Sequence, residues 1–264
     1  MAPPLSTIPI LHPHPPFFSR ATVSGLTDSP GIDSFVSSFL STMNEDTTMN
    51  EDISREGLTT EKICQLGRLF LASHNHAIVK VSEFRKVNLP KINHILGTEY
   101  AGAICDVDEC MAPHHGEILP ENIDAVTRMV KTGFNVAIYS NMKAGGRYEP
   151  FVKTVREKTG YQIPVVTSRF AKPDKRGFLE AKEALSLGKE GKAVMIGDNF
   201  VTDGGCIHAG IPFIQVAPIL TPETFFKKLK RMPQTGSRRF YSWLSRAYDT
   251  LLDRYVLTDE DLKY

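Results

Sequence analysis

The sequence has no apolar run approaching the roughly 20 residues that span a bilayer, so we expect no transmembrane helix. Its formal net charge is only +1, which argues against a protein that binds nucleic acid through bulk electrostatic attraction. The cysteines have neither a metal-binding spacing nor the pattern of a secreted disulfide framework; they are Cys64, Cys105, Cys110 and Cys206. We therefore expect a globular protein of a reducing compartment that does not act on nucleic acid.

A length of 264 residues suits one domain with extensions. We expect a disordered or targeting segment over residues 1–57, an α/β domain with a helical lead-in over 58–220, and a basic amphipathic helical tail over 221–264. The first segment is rich in Pro, Ser and Thr and has no acid before Asp28, a composition shared by disordered tails and organelle transit peptides.

Targeting to an organelle remains an open alternative for this first segment. Arg20 is the only Lys or Arg in the first 50 residues, which weakens its interpretation as a mitochondrial presequence. If the segment is a targeting signal, we expect an organelle interior, with the mitochondrial matrix or inner-membrane face favoured over a plastid. If it is only a disordered tail, we expect a cytoplasmic location.

Two acids stand at the end of an apolar run and are the most informative feature of the chain. Residues 100–105 read Tyr-Ala-Gly-Ala-Ile-Cys and predict a buried strand, which Asp106 and Asp108 follow. A strand that is buried on both faces does not end in two acids unless something compensates their charge. Because open parallel sheets bind ligands at the carboxyl ends of their strands, the pair predicts a metal ion, a phosphate, or both.

Three further apolar segments end in polar residues. These are residues 135–139, followed by Ser140 and Asn141; residues 163–167, followed by Lys172; and residues 193–196, followed by Asp198 and Asp203. Helical stretches separate them, with starts predicted at Thr59 or Thr60, at Pro120, and after Asp174. The alternation of strand and helix predicts an α/β fold with a central parallel sheet.

None of these motifs is specific enough alone, but the ordered set of acid pair, Ser-Asn, lysine and acid pair resembles the four motifs of the haloacid dehalogenase (HAD) superfamily. That resemblance implies a Rossmannoid three-layer sandwich and hydrolysis of a phosphate ester. It implies that Asp106 is the nucleophile and that Asp108 is the general acid and then the base. It assigns phosphate binding to Ser140 and Asn141, and both charge compensation and phosphate binding to Lys172.

The same resemblance implies a Mg²⁺ cofactor. Asp106 and Asp198 would bind the ion through their side chains, Asp108 through its backbone carbonyl, and Asp203 directly or through a water molecule. Oxygen ligands of this kind are those that Mg²⁺ prefers.

The intervals from Asp108 to Ser140 and from Asn141 to Lys172 each hold one helix with its loops. Superfamily members that act on small metabolites usually carry a cap domain in one of these intervals. We expect no cap domain here, and hence an open site. The substrate should then supply its own bulk, as a macromolecule or a lipid headgroup does.

The first motif is more specific. Residues 106–110 read Asp-Val-Asp-Glu-Cys and are followed by Ala112-Pro113, which resembles the Asp-Lys-Asp-Asn-Cys signature of the eukaryotic phosphatidylglycerophosphate phosphatases, a capless branch of the superfamily. The resemblance extends over roughly residues 78–218 and implies conversion of phosphatidylglycerophosphate to phosphatidylglycerol. Val107 and Glu109 depart from that signature, and Glu109 adds a negative charge beside the phosphate site.

Two alternatives stay open. One is a capless phosphatase of the same fold that acts on a phosphoprotein or a soluble phosphate ester. The other is a non-catalytic scaffold or assembly subunit, which Glu109 and the long extensions favour and the intact acids and Lys172 disfavour.

The tail combines a basic run with an apolar stripe at helical spacing. The basic residues are Lys227, Lys228, Lys230, Arg231, Arg238 and Arg239, and the stripe is Phe240, Trp243, Leu244, Tyr248, Leu251, Leu252 and Tyr255. The pattern predicts either a helix packed on the core or on a partner subunit, or a peripheral membrane contact through residues 240–255.

Overall fold

The computed structural model describes residues 59–141, 146–188, 190–220 and 225–263, with side chains described except at 225–231 and 234. The segment predicted to be disordered or targeting, residues 1–57, lies outside the described part, so that expectation and the location it bears on stay predictions. Among the described residues, none of the helices has the length and apolar character needed to cross a membrane.

The fold is a Rossmann-like α/β fold built on one all-parallel sheet of seven strands, in the order β4-β3-β2-β5-β6-β1-β7. The strands are β1 (Val79–Val81), β2 (Tyr100–Cys105), β3 (Asn135–Tyr139), β4 (Val165–Val166), β5 (Lys192–Gly197), β6 (Phe213–Val216) and β7 (Leu257–Thr258). The helices are α1 (Thr60–Arg68), α2 (Leu89–Leu96), α3 (Pro120–Lys131), α4 (Glu149–Thr159), α5 (Lys175–Ala184) and α6 (Phe225–Leu251), with 3₁₀ segments at Phe84–Lys86 and Asp203–Ala209. The predicted α/β class and central parallel sheet are confirmed.

The helices begin where local chemistry satisfies their free backbone N–H groups. The Thr59 side chain accepts a hydrogen bond from the backbone N–H of Lys62 at the start of α1, and Asp174 accepts one from Arg176 at the start of α5. Pro120 occupies the first position of α3, where its missing N–H costs nothing. These starts agree with those predicted from the sequence.

Helices cover both faces of the sheet and give three layers. On one face the core includes Leu89 of α2, Val126 of α3 and Phe151 of α4. On the other it includes Phe178 of α5 and Tyr241 of α6, with Cys206 of the second 3₁₀ segment. Because β2, β3 and β5 are covered on both sides, their side chains are almost entirely apolar up to the last residue, and polar groups collect just beyond.

One face of α6 packs on the rest of the domain. Tyr241 and Ser245 are buried, the Asn75 side chain donates to the Tyr241 carbonyl, and the Lys80 ammonium lies 2.9 Å from the Ser245 hydroxyl. Of the alternatives left open for the tail, packing on the core therefore describes this inward face. The chain then adds β7 beside β1, a strand that sequence analysis did not predict.

The connections that would hold a cap domain are short. Residues 106–119 link β2 to α3 and residues 140–148 link β3 to α4, of which 142–145 lie outside the described residues. Neither interval has room for an inserted domain, as predicted.

Candidate active site

The loops at the carboxyl ends of neighbouring strands carry the polar residues selected from the sequence. Asp106 follows β2, Ser140 follows β3, Lys172 lies in the loop after β4, and Asp198 follows β5. Since β2 lies between β3 and β5, these loops meet at one edge of the sheet. A crevice at this edge is where open α/β sheets bind their ligands.

Lys172 lies at the centre of a buried charge cluster. Its Nζ is 2.6 Å from an oxygen of Asp106 and 2.6 Å from an oxygen of Asp203, and all three side chains are buried. A Cβ at Gly205 would lie 2.4 Å from the backbone oxygen of Pro173. Glycine at this position therefore lets the segment that carries Asp203 lie directly against the loop that carries Lys172.

Burial and neighbouring charges shift both partners of this cluster. Burial raises the pKa of Asp106 to about 7, an effect that attraction to Lys172 opposes and repulsion from Asp203 increases. Burial by itself would lower the pKa of Lys172, but the two carboxylates outweigh it, and the pKa is raised. Lys172 is thus a permanent cation, while Asp106 is poised to gain or lose a proton near neutral pH.

The donor set of the site fits a divalent cation. Asp106, Asp198 and Asp203 each offer an oxygen, and these oxygens all lie within 4.8 Å of one another. Oδ2 of Asp198 is buried and accepts no hydrogen bond from the described residues, an arrangement that is costly unless a cation satisfies it. Burial also raises the pKa of Asp198 well above its ordinary value, which marks a carboxylate that needs positive charge nearby. Carboxylate oxygens gathered in this way suit Mg²⁺.

Asp108 has a different set of partners. A guanidinium nitrogen of Arg147 lies 2.9 Å and 3.2 Å from its two oxygens. The backbone N–H of His115 donates to it at 3.1 Å, and the Ser140 hydroxyl lies 3.5 Å away. Asp108 is more exposed than Asp106, a placement that suits a group exchanging protons with a leaving group and with water.

Asn141 is used at both ends of its side-chain amide. Oδ1 accepts a hydrogen bond from the backbone N–H of Lys172 at 2.6 Å, and Nδ2 donates to the Lys172 carbonyl at 3.1 Å. These two hydrogen bonds hold the backbone of Lys172, whose ammonium is the central cation of the cluster. A role for Asn141 in binding phosphate stays a prediction, as does that of Ser140.

Glu109 is buried and adopts a left-handed backbone conformation, with φ of 63°. This conformation is uncommon for a residue with a long side chain and better suited to Asn or Gly. Its carboxylate pairs with Arg238, which α6 extends into the site. The same guanidinium nitrogen of Arg238 lies 3.4 Å from Oδ2 of Asp198. The negative charge that Glu109 adds to the site is therefore met by the C-terminal helix.

Sequence analysis missed Arg147 and Arg238 as members of the site. In the sequence, Arg238 is one of the six residues of the basic run in the tail, and nothing in that run distinguishes it from the others. Arg147 follows two glycines in the sequence and belongs to no motif. The sequence gives one indirect indication of Arg238. Glu109 is an acid beside the predicted phosphate site, and a buried acid there requires a cation from elsewhere in the chain.

No family model matches the chain, and no curated protein matches it. Among solved structures it is similar to an uncharacterized protein from Listeria monocytogenes serotype 4b, with 22% identity over 47% of this chain and 84% of that one and a TM-score of 0.35. A thermostable double-mutant NPPase from Geobacillus stearothermophilus shows 18% identity over 73% and 74% of the two chains, with a TM-score of 0.20. A 4-nitrophenylphosphatase from Thermotoga maritima shows 17% identity over 66% and 65%, also with a TM-score of 0.20. Similarities this low do not assign an activity, so function rests on the site itself.

Proposed function

We propose that the protein is a Mg²⁺-dependent phosphomonoester hydrolase that works through an aspartyl-phosphate on Asp106. The observation that carries this proposal is the buried Lys172 held between Asp106 and Asp203, beside the buried Asp198, whose Oδ2 accepts no hydrogen bond from the described residues, at the carboxyl edge of the sheet. A nucleophilic carboxylate, a fixed cation and a set of oxygen ligands are the parts that phosphoryl transfer from an ester requires.

The reaction divides into two displacements at phosphorus. In the first, a carboxylate oxygen of Asp106 bonds to phosphorus as the bond to the ester oxygen breaks, and Asp108 gives that leaving oxygen a proton. In the second, Asp108 takes a proton from water as the water oxygen bonds to phosphorus, which releases inorganic phosphate and restores Asp106. Lys172 offsets the charge that the phosphoryl oxygens carry in both displacements.

The side chains of Asp106, Asp198 and Asp203 would hold the metal ion, with the backbone carbonyl of Asp108 as a further proposed ligand. When bound, Mg²⁺ would neutralise phosphate charge and orient the ester. Lys172 bridges the Asp106 and Asp203 carboxylates and so holds these two ligands together.

A phosphorylated lipid headgroup, with phosphatidylglycerophosphate as the specific candidate, is the substrate we favour. The first-motif resemblance supports it, and so does the lack of room for a cap domain. The outward face of α6 supports it as well. Trp243 is 60% and Leu251 77% exposed, and Phe240 lies beside the exposed Phe70 with ring centroids 6.0 Å apart. An exposed apolar face on a helix that also reaches the site through Arg238 suits peripheral contact with a lipid surface.

Two alternatives remain. An open site also suits a phosphoprotein or a soluble phosphate ester, and the substrate assay below separates these from the lipid. Glu109 and the long extensions favour the scaffold alternative, and the pairing of Glu109 with Arg238 weakens the first of these two grounds.

The test is Mg²⁺-dependent release of phosphate from phosphatidylglycerophosphate in vesicles, from an aryl phosphate and from a phosphopeptide. Asp106→Asn serves as the matched control, because it keeps the shape of the side chain but cannot act as the nucleophile. We expect turnover of the lipid to exceed that of the other two. Faster turnover of the peptide or aryl ester would replace the lipid proposal, and no turnover of any would overturn the phosphatase itself.

A further inference from the structure

The C-terminal helix contributes a charge to the site. Arg238 lies on the inward face of α6, where it shares a side of the helix with the buried Tyr241 and Ser245. Its guanidinium contacts Glu109 and Asp198, and its Nε has no hydrogen-bond partner among the described residues. Arg239, the next residue, is exposed. The helix therefore separates two adjacent arginines, one facing the site and one facing solvent.

The charges of the site balance only when Arg238 is included. The site residues described above include more acids than cations, and when all are ionised an excess of two negative charges remains. The acids are Asp106, Asp108, Glu109, Asp198 and Asp203, and the cations are Lys172, Arg147 and Arg238. One divalent cation would cancel that excess. Without Arg238 the loaded site would stay negative and repel a phosphate dianion.

Glu109 is the acid whose charge Arg238 compensates. It is buried, held in a left-handed conformation that a glutamate rarely adopts, and anchored by the Ile219 N–H, which donates to its carbonyl at 2.7 Å. A buried carboxylate in this position is tolerated only with compensation, and Arg238 supplies a cationic partner from across the fold.

We infer that Arg238 is a positioning residue of the active site, which holds the charge of Glu109 away from bound phosphate and shares its own charge with the metal-binding carboxylate Asp198. The inference rests on the proposed function. It predicts opposite effects on two ligands. Loss of Arg238 leaves more negative charge, which favours the cation Mg²⁺ and disfavours phosphate. Loss of the Glu109 charge does the reverse.

The experiment measures the affinities for Mg²⁺ alone, and for inorganic phosphate at saturating Mg²⁺, by calorimetry on the full chain. For Arg238→Gln we expect Mg²⁺ to bind about thirtyfold more tightly and the phosphate dianion about thirtyfold more weakly, the effect of one unit charge on a divalent ion roughly 4 Å away in a water-like dielectric. Glu109→Gln should shift both constants in the opposite directions. The double variant, which removes one charge of each sign and so restores the net charge of the site, should return both close to wild type. Arg239→Gln and Glu183→Gln, which remove exposed charges of the same signs, should change neither constant.

Two results for Arg238→Gln would overturn the inference: a shift of both affinities in the same direction, or affinities equal to those of Arg239→Gln. A purely structural arginine would weaken the binding of both ligands or of neither. If Arg238→Gln does not fold, the test uses Glu109→Gln and the double variant. Unchanged affinities for Mg²⁺ and phosphate in Glu109→Gln would then overturn the inference. A wild-type protein that binds both ligands but hydrolyses no ester would contradict the proposed function and leave this test intact. A wild-type protein that binds no Mg²⁺ would contradict the metal assignment, and the phosphate affinities alone would then decide the role of Arg238.

Discussion

Asn141 holds the backbone of Lys172 through two hydrogen bonds, one to its N–H and one to its carbonyl. The contact joins the loop after β3 to the loop after β4, and it fixes the residue whose ammonium bridges Asp106 and Asp203. The Asn141 side chain, which the superfamily resemblance assigns to phosphate binding, therefore also supports the Lys172 ammonium.

Asn141→Ala should lower turnover more than it weakens phosphate binding. Two hydrogen bonds to the Lys172 backbone are lost, at about 1 kcal/mol of folding stability each, and the ammonium is no longer held in place. We expect kcat on an aryl phosphate to fall about tenfold or more, with the affinity for inorganic phosphate little changed. If phosphate affinity falls as much as kcat, Asn141 binds substrate directly and its contact with Lys172 is secondary.

Asp106→Asn should abolish turnover and leave the protein folded. An amide cannot attack phosphorus, while Lys172 keeps its pair with Asp203. Because burial disfavours the charged form of Asp106, the melting temperature of the metal-free variant should be at or above that of wild type. Phosphate release above about one per cent of the wild-type rate, in a preparation free of contaminating phosphatase, would remove Asp106 from the nucleophile role.

Beryllofluoride with Mg²⁺ should raise the melting temperature of the wild type. The complex mimics a phosphoryl group on Asp106, and a ligand that binds only the folded state stabilises it in proportion to the logarithm of its concentration. Asp198→Ala, which removes a proposed metal ligand, should show little or no shift. Equal shifts in the two proteins would show that Asp198 does not bind the metal.

The stability of the metal-free protein should depend on pH through Asp106. Its pKa is raised to about 7 in the folded state, above the value of about 3.9 for an unfolded chain. A raised pKa means that the folded state favours the protonated form, so this stabilising contribution is complete below about pH 4 and is lost as pH rises through about 7.

The measurement compares the melting temperatures of wild type and Asp106→Asn in chelator between about pH 5 and about pH 8. The difference, wild type minus variant, should fall across that interval, since other titrating groups are common to both proteins. The stabilisation that Mg²⁺ gives the wild type should grow over the same interval, because the metal binds the deprotonated carboxylate. Parallel curves for the two proteins would show that Asp106 does not titrate there.

The exposed face of α6 should matter for lipid and not for chemistry. Trp243→Ser combined with Leu251→Ser should reduce co-sedimentation with anionic vesicles about tenfold or more, since each large apolar side chain contributes up to about 1.5–3 kcal/mol when it leaves water. Turnover of a vesicle-borne substrate should fall with it, while the rate on a soluble ester stays the same. Leu179→Ser, an exposed leucine on α5, is the control and should leave vesicle binding unchanged.

Point substitutions are the right test because truncation after Gly236 removes more than a membrane contact. It deletes Arg238 from the site and the buried Tyr241 and Ser245 from the core, so we expect the truncated protein to lose stability and activity on soluble esters as well. If Trp243→Ser with Leu251→Ser also loses soluble activity, this face is an interface within the folded protein or between subunits, and the lipid contact should be abandoned.

The sequence by itself determined the α/β class and the position of the site. Apolar segments such as residues 100–105 and 193–196 mark strands buried on both faces, and in a parallel sheet the residues just after such strands must share one edge. Asp106 and Asp198 could therefore be expected at the same edge, and the superfamily resemblance predicted that they share one site. The helix starts at Thr59, Pro120 and Asp174 could also be predicted, because a cap depends on residues within one turn.

Only the tertiary structure decided which cations complete the site. Arg238 is 129 positions from Glu109 in the chain, and no local pattern links them. The apolar residues of α6 lie on more than one side, with Tyr241 buried and Trp243 exposed, so the helical period does not reveal which side faces the core. Packing against the second face of the sheet selects that side, and this selection is what turns Arg238 toward Asp198 and leaves Arg239 in solvent.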